Sequence, residues 1–294
     1  LNSKQSGLIF LNKPTGITSF QALNAIKKSL GHGKIGHTGT LDKFAEGLLI
    51  VLAGKNTRLV PYFEGLDKTY LADIRFGATT ETLDTESPEV EHTVVPNITH
   101  IEARLKDFHG EQEQIPPQYS AVHVDGKRAY QRTLQGEHVE IPSRKIIFYS
   151  IEVLGWTEPV LSVRIHCSKG TYIRAFARDL GIACGSKAYL EGLQRTRIGH
   201  FDVSKAIDPK EFKPEKHLQS ATPALLQLPG ITEVMVEEES ISKVLNGNPI
   251  QPEWLSIHEI PDGIYALVSS QGELCALTEL SDNNWKYRYV AERN

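Results

Sequence analysis

Cysteine is scarce in this sequence and long apolar runs are missing, and each gap narrows what the chain can be. Its 294 residues hold three cysteines, Cys167, Cys184 and Cys275. Their number is odd, they lie far apart and none forms a CxxC pair, which speaks against a disulfide framework and a thiolate zinc site. The longest apolar run, around residues 48–53, is strand-sized and far short of the ~20 residues of a bilayer-crossing helix. The opening Leu1-Asn2-Ser3-Lys4-Gln5 lacks the charged-then-apolar pattern of a signal peptide, so a reducing cytoplasm is the expected compartment. The eleven histidines show no HExxH or comparable metal spacing. The glycine-rich loops match neither the Walker A ending nor the dinucleotide GxGxxG pattern. There is no internal repeat and no low-complexity segment.

What is present is an ordinary globular composition, with 40% hydrophobic and 23% charged residues. That excludes disordered, collagen-like and coiled-coil chains. The length favours a large domain joined to a smaller one. A mild net charge of −4 conceals an asymmetry. Residues 1–60 carry eight Lys/Arg against two Asp/Glu, residues 61–120 four against twelve, and residues 161–200 seven against two. Two basic blocks meeting in the fold would form the electrostatic footprint of a polyanion partner. Chance fluctuation of charge along a chain gives the same counts, so charge alone leaves both readings open.

Residues 7–11 read as a short strand and Lys13-Pro14-Thr15-Gly16 as a turn. Thr18 or Ser19 caps a predicted helix with the apolar face Phe20, Leu23, Ile26 and Leu30 and with Gly31 at its end. A glycine-rich loop over 31–39 leads to a buried strand at 47–54. Another strand spans 69–76 and ends at Gly77. The acidic stretch 79–93 reads as an exposed loop. Thr99-His100-Ile101-Glu102 fits a capping box that opens a helix to Phe108. Residues 114–136, rich in Pro, Tyr and basic side chains, read as a long excursion from the core. Leu161, Val163 and Ile165 alternate with Ser162, Arg164 and His166, the period of a half-buried strand. A helix follows over 171–180, closed by Gly181. Pro209, Pro214, Pro223 and Pro229 punctuate a shift in composition, and the domain boundary is set near Pro229. The tail, with strands near 231–236, 264–269, 273–278 and 285–290 and a short helix around 240–245, reads as a small, mostly β module.

Two stretches carry candidate chemistry. In Gly36-His37-Thr38-Gly39-Thr40-Leu41-Asp42, glycines let the backbone approach a ligand closely, and a carboxylate just ahead of a buried strand is rigidly mounted for catalysis. Asp42 capping a short helical turn over 43–46 is the alternative. In Lys169-Gly170-Thr171-Tyr172-Ile173-Arg174, a Thr171 cap puts Arg174 at the third helical position, where a cation opposes the helix macrodipole. The wrong-signed residue points to an anion nearby, Asp42 or an RNA phosphate. A tolerated surface Arg gives the same pattern. Contact with Asp42 would hold that carboxylate ionised, typically lowering its pKa by ~1–3 units. Tyr70 lies on a predicted strand, where half-buried packing is the plain reading. Pro116-Pro117-Gln118-Tyr119-Ser120-Ala121 and Lys127-Arg128-Ala129-Tyr130 mix aromatic and basic side chains, which suits RNA stacking or a Pro-stiffened loop.

Several separated segments, in order, resemble the bacterial TruB family of tRNA pseudouridine synthases over nearly the whole chain. They are Gly7-Leu8-Ile9-Phe10-Leu11-Asn12-Lys13-Pro14-Thr15-Gly16-Ile17-Thr18-Ser19; Gly36-His37-Thr38-Gly39-Thr40-Leu41-Asp42 with Ala45 and Gly47-Leu48-Leu49; Lys68-Thr69-Tyr70; and Ser168-Lys169-Gly170-Thr171-Tyr172-Ile173-Arg174. The segments Pro116 to Ala121 and Leu193-Gln194-Arg195-Thr196-Arg197-Ile198-Gly199 also fit. The resemblance implies a mixed α/β (α+β) fold with a central, largely antiparallel sheet in residues 1–229. It also implies a small β-rich, PUA-like RNA-binding domain in 230–294. The implied reaction is isomerisation of uridine 55 in the T arm of tRNA, with no cofactor consumed and no metal required. The implied partner is tRNA alone, without guide RNA or protein, and the protein is expected to be a monomer.

Residue roles follow by the same resemblance. Asp42 is the essential carboxylate, Arg174 its partner, and Tyr70 the ring that stacks on the flipped base and serves as the base for the C5 proton. Tyr172 and Leu193 fall at substrate-pocket positions, His37 at an RNA contact, and Lys13 with Pro14 at a support beside the loop. Lys169 belongs to the RNA-binding set. The chain departs from the family pattern at Lys43, where Pro is usual, at His123, where Lys is common, and at Thr133-Leu134, where an Ala-Arg pair is usual.

Overall fold

The protein was analysed as a computed structural model, which describes residues 5–31, 33–120, 140–257 and 261–292 and the backbone of two short strands within 123–128. The chain runs β1 (Gly7–Lys13), α1 (Ser19–Leu30), β2 (Ile35–His37), β3 (Glu46–Ala53), β4 (Lys68–Phe76), β5 (Ala78–Thr80), β6 (Glu89–His92) and α2 (Ile98–Leu105). It continues through β7 (Gly110–Gln114), β8 (His123–Val124), β9 (Lys127–Arg128), β10 (Arg144–Thr157), β11 (Val160–Cys167), α3 (Ile173–Ala183), β12 (Ala188–Ile198) and β13 (Phe201–Asp202). Four strands close it, β14 (Ile231–Met235), β15 (Gly263–Val268), β16 (Leu274–Ser281) and β17 (Asn284–Val290).

The central sheet has the order β1-β3-β12-β4-β11-β10-β7, with β2 on β3 and β13 on β12. Its pairings are antiparallel except one. β12 and β3 run parallel and pair at only two positions, Gln194 with Glu46 and Arg195 with Gly47. So short a seam lets the two halves of the sheet diverge and leaves room for a cleft above it. The seam also needs a glycine: Gly47 has φ +113°, and a Cβ there would lie 2.3 Å from the Arg195 carbonyl oxygen. The outer edge of β1 is not free for pairing. Leu8 exchanges backbone hydrogen bonds with Gln219, and Ile207 pairs beside Phe10 and Asn12.

β3 is buried along nearly its whole length because both its faces are covered. One face packs with Leu23 and Ile26 of α1, the other with Phe63, Leu225 and Leu228. β4 and β11 alternate buried and open positions as their sequences predict. α3 lays Ile173, Phe176, Ala177 and Leu180 on the core shared by β4 and β11, with the Phe176 ring edge-to-face with Phe108 at 5.2 Å and tilted against Phe148 at 5.0 Å. The C-terminal sheet, in the order β14-β15-β16-β17, sits on the large one through a shared apolar core. Ala266, Leu277 and Tyr289 pack with Leu8, Leu48 and Ile50, and the Tyr289 hydroxyl donates to Asn56 Oδ1 at 2.6 Å.

Several local expectations are corrected. α1 is capped by Thr18 in a capping box with Gln21. Phe20 leaves its apolar face, is 65% exposed and carries the Lys27 ammonium 3.9 Å above its ring. α2 starts from an Asn97 cap, not Thr99; the Asn97 side chain takes the His100 N–H, the bond a Thr99 cap cannot make from its position. α3 starts after Tyr172, so Arg174 is its second residue rather than its third. Thr171 spends its hydroxyl on the Ser168 carbonyl instead of capping. The helix also runs past Gly181 to Ala183, because a glycine there lets Ala188 pack closely: a Cβ would sit 2.7 Å from its N atom. The stretch 79–93 is not simply an exposed loop. It forms β5 and β6, and Thr80 and Asp84 are buried. Most of the 114–136 excursion, and with it His123 and Thr133-Leu134, lies outside the residues whose side chains are described. Among the described residues no helix is long and apolar enough to cross a membrane.

Candidate active site

The loop 39–43, β4, β12 and the start of α3 surround a cleft of about 540 Å³ over the β3/β12 seam. Its walls include Asp42, Tyr70, Tyr172, Arg174 and Leu193, all singled out from the sequence. They also include Lys68, Asp84, Glu86 and Arg195, which the sequence did not assign to the site.

Asp42 does not cap a helical turn. Residues 43–45 are a bend without helix, and the Phe44 N–H that a cap would take goes to Glu86 Oε1 at 3.0 Å. The Asp42 carboxylate instead faces Arg174: Nη2 donates to Oδ1 at 3.1 Å, and Nε lies 2.9 Å from Oδ2. The loop ahead of Asp42 is pinned from α1, since the Ser19 hydroxyl accepts from the Leu41 N–H and donates to the Leu41 carbonyl, at 2.9 and 3.0 Å. From behind, Lys13 is fully buried and donates to the carbonyls of Pro14 and Ile17 at 2.9 and 2.7 Å, with the Lys43 carbonyl at 3.5 Å. Burial lowers its pKa to about 8. Lys13 thus ties the turn 14–17 to the backbone of the loop that carries Asp42.

Arg174 is 5% exposed and holds more than Asp42. Its Nη1 donates to the Thr82 carbonyl at 2.8 Å and lies 3.4 Å from Asp84 Oδ2, and Nη2 also donates to the Tyr119 carbonyl at 2.9 Å. Asp84, 2% exposed, is itself fixed by the Thr82 hydroxyl at 2.5 Å and the Glu86 N–H at 2.9 Å. One guanidinium therefore lies between two carboxylates. The Asp42 pKa is corrected accordingly. Desolvation in the cleft pushes it above the ordinary carboxylate value, Arg174 pulls it back, and the Asp84 charge pushes it up again. The net direction is upward, the opposite of the lowering expected from an Arg neighbour alone.

Tyr70 forms the floor, 8% exposed, and burial pushes its phenol up to about 12 against the opposing pull of Arg195. Lys68 is buried beside it, donates to the carbonyls of Glu64 and Leu66, and is lowered to about 8, burial being the main cause. On the far wall the Arg144 guanidinium lies 5.4 Å from the Tyr172 ring centre. His37 does not line the cleft. Its Nε2 is 3.3 Å from Thr40 Oγ1, which does, and burial followed by Arg195 lowers its pKa. Lys169 is exposed and does not line the cleft, although Ser168 and Gly170 on either side of it do.

In fold the chain is similar to a chain of the crystal structure of a Cbf5-Nop10-Gar1 complex, with a TM-score of 0.70, 25% identity and coverage of 98% of this chain and 84% of that one. It is likewise similar to a chain of an H/ACA RNP bound to a substrate RNA containing 2′-deoxyuridine, with a TM-score of 0.70, 23% identity and coverage of 99% and 85%. The mixed α/β architecture is that of the pseudouridine synthases. Residues 27–173 match the family described as TruB family pseudouridylate synthase (N terminal domain). Curated relatives include tRNA pseudouridine synthase B of Borreliella afzelii, 39% identical over 97% of this chain and 99% of that protein. The protein of the same name from Clostridium kluyveri is 37% identical over 88% and 90%. The chain belongs to the TruB family.

Proposed function

We propose that this chain converts uridine 55 in the T arm of tRNA to pseudouridine, acting without guide RNA or protein partners. The observation that carries the proposal is the Asp42 carboxylate against Arg174 in a cleft floored by Tyr70. A uridine within a structured loop must first be everted to reach such a cleft, at a cost of a few kcal/mol. The N1–C1′ bond then breaks, the uracil turns, and a C5–C1′ bond forms. C5 loses its proton and N1 carries one, so the change is an isomerisation with no electrons gained or lost.

Asp42 acts in its charged form. Arg174 opposes the cost of desolvating that charge, and Asp84, bound to the same guanidinium, keeps Arg174 in place. Tyr70, whose phenol keeps its proton at neutral pH, is assigned the role of stacking platform, with Tyr172 and Leu193 confining the base. Basic residues outside the cleft, His37 and Lys169 among them, contact RNA flanking the target. Residues 230–294 act as the PUA-like module that binds RNA away from the target nucleotide, with 1–229 as the catalytic part. The protein works as a monomer in the cytoplasm.

Incubation of the protein with a bare T-arm stem-loop, followed by chemical mapping of pseudouridine, tests the proposal. Product at position 55 alone is expected. A protein that modifies the stem-loop only when guide RNA or other proteins are added would contradict the stand-alone reading.

A further inference from the structure

Arg195 is 1% exposed and lines the cleft, yet among the described residues no carboxylate lies within ion-pair distance of it. A guanidinium buried without a counter-ion is costly unless its donors are well used. Here they are spread over three elements. Nε donates to the Leu48 carbonyl on β3 at 2.8 Å, and Nη2 donates to the Gly39 carbonyl at the start of the Asp42 loop at 3.0 Å. On the third side Arg195 stands directly opposite Tyr70 across the β12/β4 ladder, and both side chains line the cleft.

The backbone is shaped to admit this side chain. Gly39, whose carbonyl accepts from Arg195, has φ +85°, a left-handed backbone that favours glycine. The ladder between β12 and β4 shifts register between Arg195 and Arg197, which keeps Arg195 turned into the cleft while Arg197 is exposed and pairs with Asp202.

We propose that Arg195 is a positioning residue for the isomerisation: one buried guanidinium sets the Tyr70 ring on the cleft floor and ties it to the loop that carries Asp42. Floor and loop belong to strands on opposite sides of the two-residue seam, and Arg195 adds a polar tie to the apolar contact of Leu41 and Ala45 with the Tyr70 cluster. Lysine cannot replace it, because a single ammonium on a flexible stem does not span the Leu48 carbonyl, the Gly39 carbonyl and the phenol together.

The inference rests on the isomerase reading, and its test separates the two. Arg195→Lys and Arg195→Gln are assayed on the T-arm stem-loop, alone and combined with Tyr70→Phe. Expected is a fall in kcat of about tenfold or more with KM for the RNA changed less than about threefold, and a smaller loss from Arg195→Lys in the Tyr70→Phe background than in the natural one. Independent, multiplicative losses, or a rise in KM at unchanged kcat, would overturn the proposal while leaving the role of Asp42 standing. A protein with an inert wild-type chain on every tRNA would instead sink the isomerase reading. Should the Arg195 variants not fold, arginine side-chain NMR of the otherwise natural protein decides. The Arg195 Nε–H signal is expected to shift when Tyr70 becomes Phe, and an unmoved signal overturns the proposal.

Discussion

The two sheets of this molecule treat charge in opposite ways. Among the described residues, the buried charged side chains are Lys13, Lys68, Asp84, Arg174 and Arg195. Four of them line the cleft of the large sheet, and the fifth supports the loop that carries Asp42. Among the described residues, the C-terminal part 230–294 buries no charged side chain; its buried polar groups are neutral, such as Ser240, Thr278 and the Tyr289 hydroxyl bonded to Asn56. A charge removed from water costs stability unless it is paired or hydrogen-bonded. The concentration of such costs around one cavity marks where stability has been given up for chemistry, and the second sheet marks where it has not. Substitutions should therefore divide the same way: activity and stability fall together around the cleft, and stability alone falls at the sheet-to-sheet contact.

The largest break in that comparison should come from Arg174→Met. It leaves Asp42 and Asp84 facing one another with no cation between them. Denaturant unfolding should show a loss of about 3–5 kcal/mol, and turnover should become undetectable. A variant that melted like the natural protein would show that the two carboxylates do not depend on Arg174. Asp84→Asn is gentler. Turnover on the stem-loop should fall about 10- to 100-fold as Arg174 loses its second anchor. The pH profile should move too. Asp42 must be ionised to act, so activity fades as pH falls through its pKa. The Asp84 charge raises that pKa, so its removal should carry the acid limb of the profile to lower pH. An acid limb that stays in place would separate Asp84 from Asp42.

Lys13→Met should cost about 2–4 kcal/mol, because the carbonyls of Pro14 and Ile17 lose a buried donor. It also carries a sign that equilibrium unfolding can read. With a folded pKa of about 8 against an ordinary 10.5, the unfolded chain holds the proton between those values while the folded chain has released it. The contribution of Lys13 to stability therefore rises with pH across that window and vanishes in the Met variant. The smallest effect belongs to the other sheet. Tyr289→Phe removes the hydrogen bond to Asn56 and should lower stability by about 1–2 kcal/mol, with kcat on the stem-loop unchanged. A matching loss of turnover would mean that the two sheets are coupled during catalysis.

The sequence disclosed elements wherever one physical pattern dominated. Alternation identified β11, and the Thr18 cap with Gly31 at the far end bounded α1. Arg174 was legible because a cation in the first turn of a helix has the wrong sign, and the structure supplies the anion that explains it. Asp42 stood out through the glycines before it. Asp84 was hidden by its surroundings: it lies in a run of acids and hydroxyls that reads as solvated surface. Only nearby hydroxyls distinguish it: Thr82 donates to the Asp84 carboxylate and Thr80 to the Asp84 backbone carbonyl. Arg195 was hidden for another reason. It sits among polar neighbours on a strand, and which way it points is set by a register shift that local pattern does not encode. Gly47 was its one signal, since a Cβ there would collide with the Arg195 backbone. Phe20 shows the converse error. Helical spacing placed it on the apolar face, whereas burial selected Ala22, Leu23 and Ile26 and left it outside.

Single-turnover conversion of a T-arm stem-loop by Asp42→Asn bears most directly on the whole account. The amide keeps the shape of the side chain and removes its charge. RNA affinity and melting temperature should stay close to those of the natural protein, while pseudouridine formation falls by at least about 10³-fold. A variant that binds the RNA and still forms pseudouridine at a comparable rate would show that the carboxylate facing Arg174 is not the group that drives the reaction.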